Sequence, residues 1–187
     1  MSPVPLVVGL VVLQRLAELA YAERNTRRLR ARGAVEHGRG HYPLIVLLHA
    51  SWLAAILLAV PWQTRPDPVL LGAFLLLQPV RLWIVAALGE RWTTRVIVLP
   101  GAPLVRRGPY RLLPHPNYAV VAAEIALLPL AFGAWRIALA YSVLNAALLA
   151  WRIRVESAAL AAAAAAASST GTLAGSAPRG RRRVARS

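Results

Sequence analysis

The chain has 187 residues, enough for one domain of ordinary size. Apolar residues make up 58% and the mean hydropathy is +0.53, above the roughly 45–50% apolar content of soluble domains, which argues for a polytopic membrane protein. The absence of cysteine excludes disulfides, thiolate metal sites, cysteine nucleophiles and cysteine lipidation, and the net charge of +15 is carried by arginine alone. No recognised nucleic-acid-binding motif accompanies that charge, so it is read as cytoplasmic loops facing anionic membrane lipid, with no nucleic-acid partner.

Residues 3–22 form the first apolar segment. No charged side chain precedes Val4, so a retained transmembrane helix is expected rather than a signal peptide. Arg15 and Glu18 are three residues apart on one helix face. They are expected to pair near the helix end, with a ligand contact as the alternative, since charge at membrane depth is costly. The connector over residues 23–40 carries Arg24, Arg27, Arg28, Arg30, Arg32 and Arg39. Such a loop faces the cytoplasm and puts the N-terminus outside. Glu36, His37 and His41 lie beside three glycines, too thin a set for a metal site, and no metal is expected.

A second span is predicted over residues 42–60, with His49 as a packed, hydrogen-bonded residue. The nearly neutral turn over residues 61–68 suits an outside loop, and residues 69–88 return the chain to the cytoplasm. Pro79 is expected to kink this third span. Residues 92–99 (WTTRVIVL) are rich in β-branched side chains and suit a short extended segment. The stretch RRGPYRLLPHPNY over residues 106–118 holds three prolines and reads as a structured loop, with Asn117 able to cap the helix that follows. Residues 118–132 and 137–150 are apolar runs separated by GAW at Gly133. They are predicted to form a helical hairpin, giving five spans and a cytoplasmic C-terminus. The expected fold is therefore all-α, a polytopic integral membrane protein with about five transmembrane helices. Its domain covers residues 1–160, and an alanine- and arginine-rich tail over 161–187 is expected to be disordered.

Three polar elements are expected to converge on the cytoplasmic face: the RRGPYRLLPHPNY loop, Glu124, and RIRVE over residues 152–156. Glu124 should face the bundle interior, where it either binds a ligand amine or ribose or satisfies a neighbouring arginine. Physical reasoning leaves both open.

RGPYRLLPHPNY, an apolar hairpin and then RIRVE together resemble the isoprenylcysteine carboxyl methyltransferase family, with its GPY…HPxY loop, two-helix hairpin and arginine followed by a glutamate pair. VEHGRGHYPL over residues 35–44 is similar to the short bacterial branch of that family. The resemblance implies an integral membrane enzyme using S-adenosylmethionine in a cytoplasmic-side site within residues 104–160. It also implies a tunnel open to the bilayer for a lipophilic or prenylated acceptor. By the same resemblance Gly108, Tyr110, His115, Pro116, Tyr118 and Glu156 contact the cofactor, and Arg154 matches the arginine, with Arg152 as its alternative. Ser157 stands where the family has its second glutamate, and alanines replace its aromatic segment. The acceptor is a prenylcysteine-like carboxylate or another lipophilic acid or enol. A carboxylate needs no base, so Arg154 would hold it; an enol needs one, and Glu124 or His115 would serve. The alternatives are an NADPH-dependent membrane reductase of similar architecture and a non-enzymatic membrane protein. The plasma membrane is the expected location.

Overall fold

A computed structural model describes residues 2–102 and 105–175, with side chains for all of these but 41 and 164–175. Five α-helices carry the described residues: α1 (Pro3–Ala31), α2 (Tyr42–Ala59), α3 (Pro68–Leu88), α4 (Pro116–Ala131) and α5 (Trp135–Gly175). Two three-residue strands, β1 (Val35–His37) and β2 (Val96–Val98), form the remaining regular structure together with short 3₁₀ turns.

Four helices are long and apolar enough to cross a bilayer: α1, α2, α3 with its continuation to Arg91, and α5 over Trp135–Ala163. The fourth, α4, is apolar but has 16 residues. At 1.5 Å per residue it spans about 24 Å, short of a hydrocarbon core of about 30 Å. The chain is thus an all-α polytopic membrane protein whose fourth helix is partly sheltered by its neighbours.

Local chemistry sets the helix ends. Asp67 caps α3, its Oδ1 accepting the Val69 and Leu70 amides at 2.9 Å each, and Pro68 follows at the first helical position. Gly133 makes the hairpin turn at φ +73, and its amide and that of Ala134 donate to the Leu130 and Pro129 carbonyls. The Asp67 amide donates to the Ala131 carbonyl at 2.7 Å, tying the start of α3 to the end of α4. Inside α3, Pro79 follows Gln78, whose amide turns back onto the Phe74 carbonyl.

The core lies toward this end of the bundle. Val4, Val8 and Val11 of α1 pack with Trp52 and Ile56 of α2, Phe74 of α3, and Ile125 and Leu128 of α4. Leu10, Leu13, Leu58, Leu76 and Val143 point outward, as a surface in lipid requires.

Three elements differ from the sequence reading. The first helix runs to Ala31, so Arg24, Arg27, Arg28 and Arg30 ride on its last turns rather than on a loop. Asn117 does not cap α4: His115 occupies the cap position and Asn117 lies inside the first turn, because Pro116 already starts the helix. The last helix does not stop near residue 150. It carries RIRVE and the alanine run as one helix to Gly175, and residues 176–187 of the expected tail lie outside the described residues.

Of the β-branched segment over residues 92–99, only Val96–Val98 forms a strand, and this β2 finds a partner in β1, with Glu36 opposite Ile97. The Glu36 side chain is 1% exposed and is held by Arg30, by Arg95 at 2.9 Å and by Arg39 at 3.5 Å. Burial raises its pKa, but the bonds from Arg95 and Arg30 outweigh that and hold the carboxyl below its ordinary value. Arg95 also stacks over Tyr42, 4.1 Å from the ring centre. The ladder and its ion pairs fix the α1–α2 connection against the segment that follows α3. Among the described residues no group of three metal-ligating side chains comes together, and Glu36 is committed to its arginines.

Candidate active site

Where α4 begins beside the distal half of α5, four side chains interlock. Arg152 and Glu156 are four apart on α5 and therefore share a face. Arg152 donates from Nε to the Tyr118 hydroxyl at 2.8 Å and from Nη1 to the Thr94 carbonyl at 2.8 Å. The Tyr118 hydroxyl in turn donates to Glu156. His115 stacks on Tyr118 with ring centres 5.1 Å apart, and its Nδ1 lies 3.8 Å from the Glu156 carboxylate. Arg152 is only 8% exposed, so its charge is held by geometry rather than by water.

This cluster borders two cavities. One, of about 440 Å³, lies among the loops and is the more polar of the two, its charged and hydroxyl groups set among apolar side chains. Tyr110, His115, Tyr118 and Glu156 line it, with Arg95 and Arg106. Its size falls within the roughly 300–1,000 Å³ of small-molecule sites. Burial, reinforced by the Glu156 charge, pushes the Tyr110 phenol up to about 12, so it is a proton donor at neutral pH. The second, of about 490 Å³, lies between α1, α2 and α5 and is mostly apolar, lined by residues such as Leu16, Leu19, Val46, Leu53, Leu57 and Leu148. Trp92, Thr93, Asn117, Tyr118 and Arg152 line both cavities.

The expected site residues therefore separate into groups. Tyr110, His115, Tyr118 and Glu156 come together around the polar cavity. Gly108 and Pro116 do not line it. A Cβ on Gly108 would meet Ala87 Cβ at 3.1 Å and Trp83 Nε1 at 3.2 Å, so this glycine, at φ +56, lets the loop press on α3. Pro116 is buried at the helix start. Arg154 is exposed and lines neither cavity, because two residues turn a helix by about 200° and carry it away from the Arg152–Glu156 face.

Glu124 also lies apart from this cluster. It is 1% exposed and accepts from Arg15 at 2.7 Å, Arg81 at 3.1 Å and Gln78 at 3.1 Å. Arg81 and Arg15 both bind Glu18, at 2.6 and 2.9 Å, and Gln14 bridges to Gln78 at 2.8 Å. The Arg15–Glu18 pair is thus part of a charge-balanced network joining α1, α3 and α4. Glu124 satisfies neighbouring arginines in this geometry. His49 donates from Nδ1 to the Ile45 carbonyl at 2.8 Å and sits edge-on to Trp52 in the wall of the apolar cavity.

Thr94 and Trp92 escaped the sequence reading as site residues. Thr94 contributes a backbone carbonyl, which carries no side-chain signature. Trp92 sits just before β2 and is drawn inward by its packing with Ala22, Ile84 and Val120.

Comparison with known proteins places the chain. The uncharacterized protein YpbQ of Bacillus subtilis (strain 168) is 39% identical over 159 residues, covering 83% of this chain and 95% of that protein. An uncharacterized protein of Haemophilus influenzae (strain ATCC 51907 / DSM 11121 / KW20 / Rd) is 24% identical over 151 residues, covering 78% of this chain and 88% of that one. No solved structure matches significantly. The profile of the isoprenylcysteine carboxyl methyltransferase family matches residues 70–162, which take in α3, α4, the loop between them and the Arg152–Glu156 face of α5. The chain belongs to the isoprenylcysteine carboxyl methyltransferase family and is a membrane methyltransferase.

Proposed function

We propose that the protein methylates an oxygen of a lipophilic acceptor with S-adenosylmethionine at the cytoplasmic face of the membrane. The acceptor is an isoprenylcysteine-like carboxylate or another lipophilic acid or enol. The observation that carries this reading is the pair of cavities, one with charged and phenolic groups in its wall and one almost wholly apolar, sharing the wall that holds Tyr118 and Arg152.

The residues of the polar cavity fit the cofactor. His115, Tyr118 and Tyr110 offer aromatic surface for an adenine, Glu156 a carboxylate for an amine or ribose hydroxyls, and Arg106 a cation for a carboxylate. The bound cofactor supplies a methyl on a sulfonium, which an acceptor oxygen takes in line while the carbon–sulfur electron pair returns to sulfur. The chain's part is to orient and to exclude water. Arg152 uses Nε and Nη1 on Tyr118 and Thr94, which leaves its Nη2 donors for the acceptor oxygen. A carboxylate acceptor needs no base. For an enol, Glu124 is committed to two arginines and a glutamine, which leaves His115 as the base.

The apolar cavity receives the acceptor sideways from the bilayer, where a long-chain molecule is already concentrated. Labelled S-adenosylmethionine should bind the detergent-purified protein while NADPH does not. Turnover should rise with acceptor chain length until the chain fills the cavity. Binding of NADPH alone would refute the cofactor assignment, and equal turnover of short soluble and long-chain acids would refute lateral access.

The arginines on the last turns of α1 and in the loops before α4 support an N-terminus outside and a C-terminus inside, in what we take to be the plasma membrane. Reporter fusions after Gly38 and after Gln63 should give opposite signals. The same compartment for both would overturn this topology.

A further inference from the structure

Asn117 stands in the first turn of α4 with its Oδ1 buried and without a hydrogen-bond partner among the described residues. A buried amide oxygen left without a donor costs stability, and a bound ligand that supplies the donor is one way such a group is satisfied. Its place is specific: Asn117 lines both cavities. Trp92 lines both as well, is 3% exposed, and holds its indole N–H equally without a partner. An acceptor and a donor, neither bonded to the other nor to any described residue, thus border the same junction. Buried unpartnered atoms also occur on Arg15, Thr26 and Trp52, but Asn117 and Trp92 are the pair that lines both cavities.

Two kinds of group meet at the junction under the cofactor reading above, on which this inference rests. One is an acceptor oxygen, electron-rich, which suits the Trp92 N–H. The other is a methyl on a cationic sulfur, whose polarised C–H bonds are donors. We propose that Asn117 Oδ1 is the protein's contact for the sulfonium methyl, and that it aims this methyl at the apolar cavity. Carbon–hydrogen donors bind oxygen weakly when neutral, and the adjacent positive charge strengthens the contact.

An amide oxygen is suited to this place in a way a carboxylate is not. It is neutral, so it attracts the sulfonium without being an effective competitor for the methyl. The positive charge on sulfur disappears as the methyl leaves. A full negative charge beside it would stabilise the bound cofactor more than the transition state and would slow transfer.

The test uses the full chain in detergent and two ligands that differ by the methyl and its charge, S-adenosylmethionine and S-adenosylhomocysteine. Calorimetry should show the wild type preferring the methylated ligand. Asn117→Leu should weaken the methylated ligand about tenfold and leave the demethylated one within about twofold. Asn117→Asp should bind the methylated ligand more tightly and lower both its KM and kcat. If Asn117→Leu folds poorly, Asn117→Asp carries the comparison alone, since it keeps the shape and the acceptor. An unchanged preference in the variants, or equal losses for both ligands, would overturn the proposal. A wild type that binds neither ligand would overturn the cofactor reading beneath it.

Discussion

Glu124→Ala is expected to destabilise the protein by about 3–5 kcal/mol, the usual consequence of removing one partner from a buried ion pair. Glu124 and Glu18 balance Arg15 and Arg81 where α1, α3 and α4 meet. Without Glu124 two guanidiniums share one carboxylate in a place where water does not compensate them. In detergent this should lower the unfolding midpoint by roughly 10 °C. The loss should be largely reversed in Glu124→Leu combined with Arg15→Leu, which restores the charge balance and buries apolar groups in their place. Rescue by the double variant separates a structural clamp from a reacting group, because a base would not be replaced by removing its neighbour. A Glu124→Ala protein that melts like the wild type yet has lost methyl transfer would show that Glu124 takes part in the reaction.

Much of this architecture is legible in the sequence because hydropathy is a long-range signal. Apolar runs, arginine-rich connectors and a glycine break at Gly133 are enough to draw five helices and a hairpin. The RGPYRLLPHPNY loop also announces itself, since three prolines cannot lie within one helix. What is not legible depends on where a helix stops and which way it faces. Predicted boundaries follow hydropathy, but α1 and α5 continue past their apolar parts because arginines and alanines are good helix formers. Asn117 looks like a cap because Asn commonly caps, yet the adjacent Pro116 favours the first helical position and moves the cap to His115. The pairing of β1 with β2 is three residues long, too short for any periodic pattern. Glu124's partners lie 43 and 109 residues away in sequence, so only the fold brings them together.

Arg152→Lys is expected to lower kcat/KM by about 10²-fold, the scale of a misplaced reacting group, while Arg154→Ala changes it by no more than about twofold. The two arginines look alike in RIRVE when only their order in the sequence is known. On a continuous helix they are not alike. Arg152 lies one turn before Glu156 and faces Tyr118, whereas Arg154 is exposed on another face. Arg152 also does something lysine cannot. Its planar fork places Nε on the Tyr118 hydroxyl and Nη1 on the Thr94 carbonyl, so one side chain links α5, α4 and the segment leading into β2. A lysine ammonium is a single point, and reaching one partner leaves the other unpaired. Cofactor binding should change less than turnover in Arg152→Lys, because the polar cavity keeps Tyr110, His115 and Glu156. If Arg154→Ala lost activity while Arg152→Lys kept it, the arginine that serves the acceptor would lie on the other face of α5. The apolar cavity beside Arg152 would then not be where the acceptor meets the methyl.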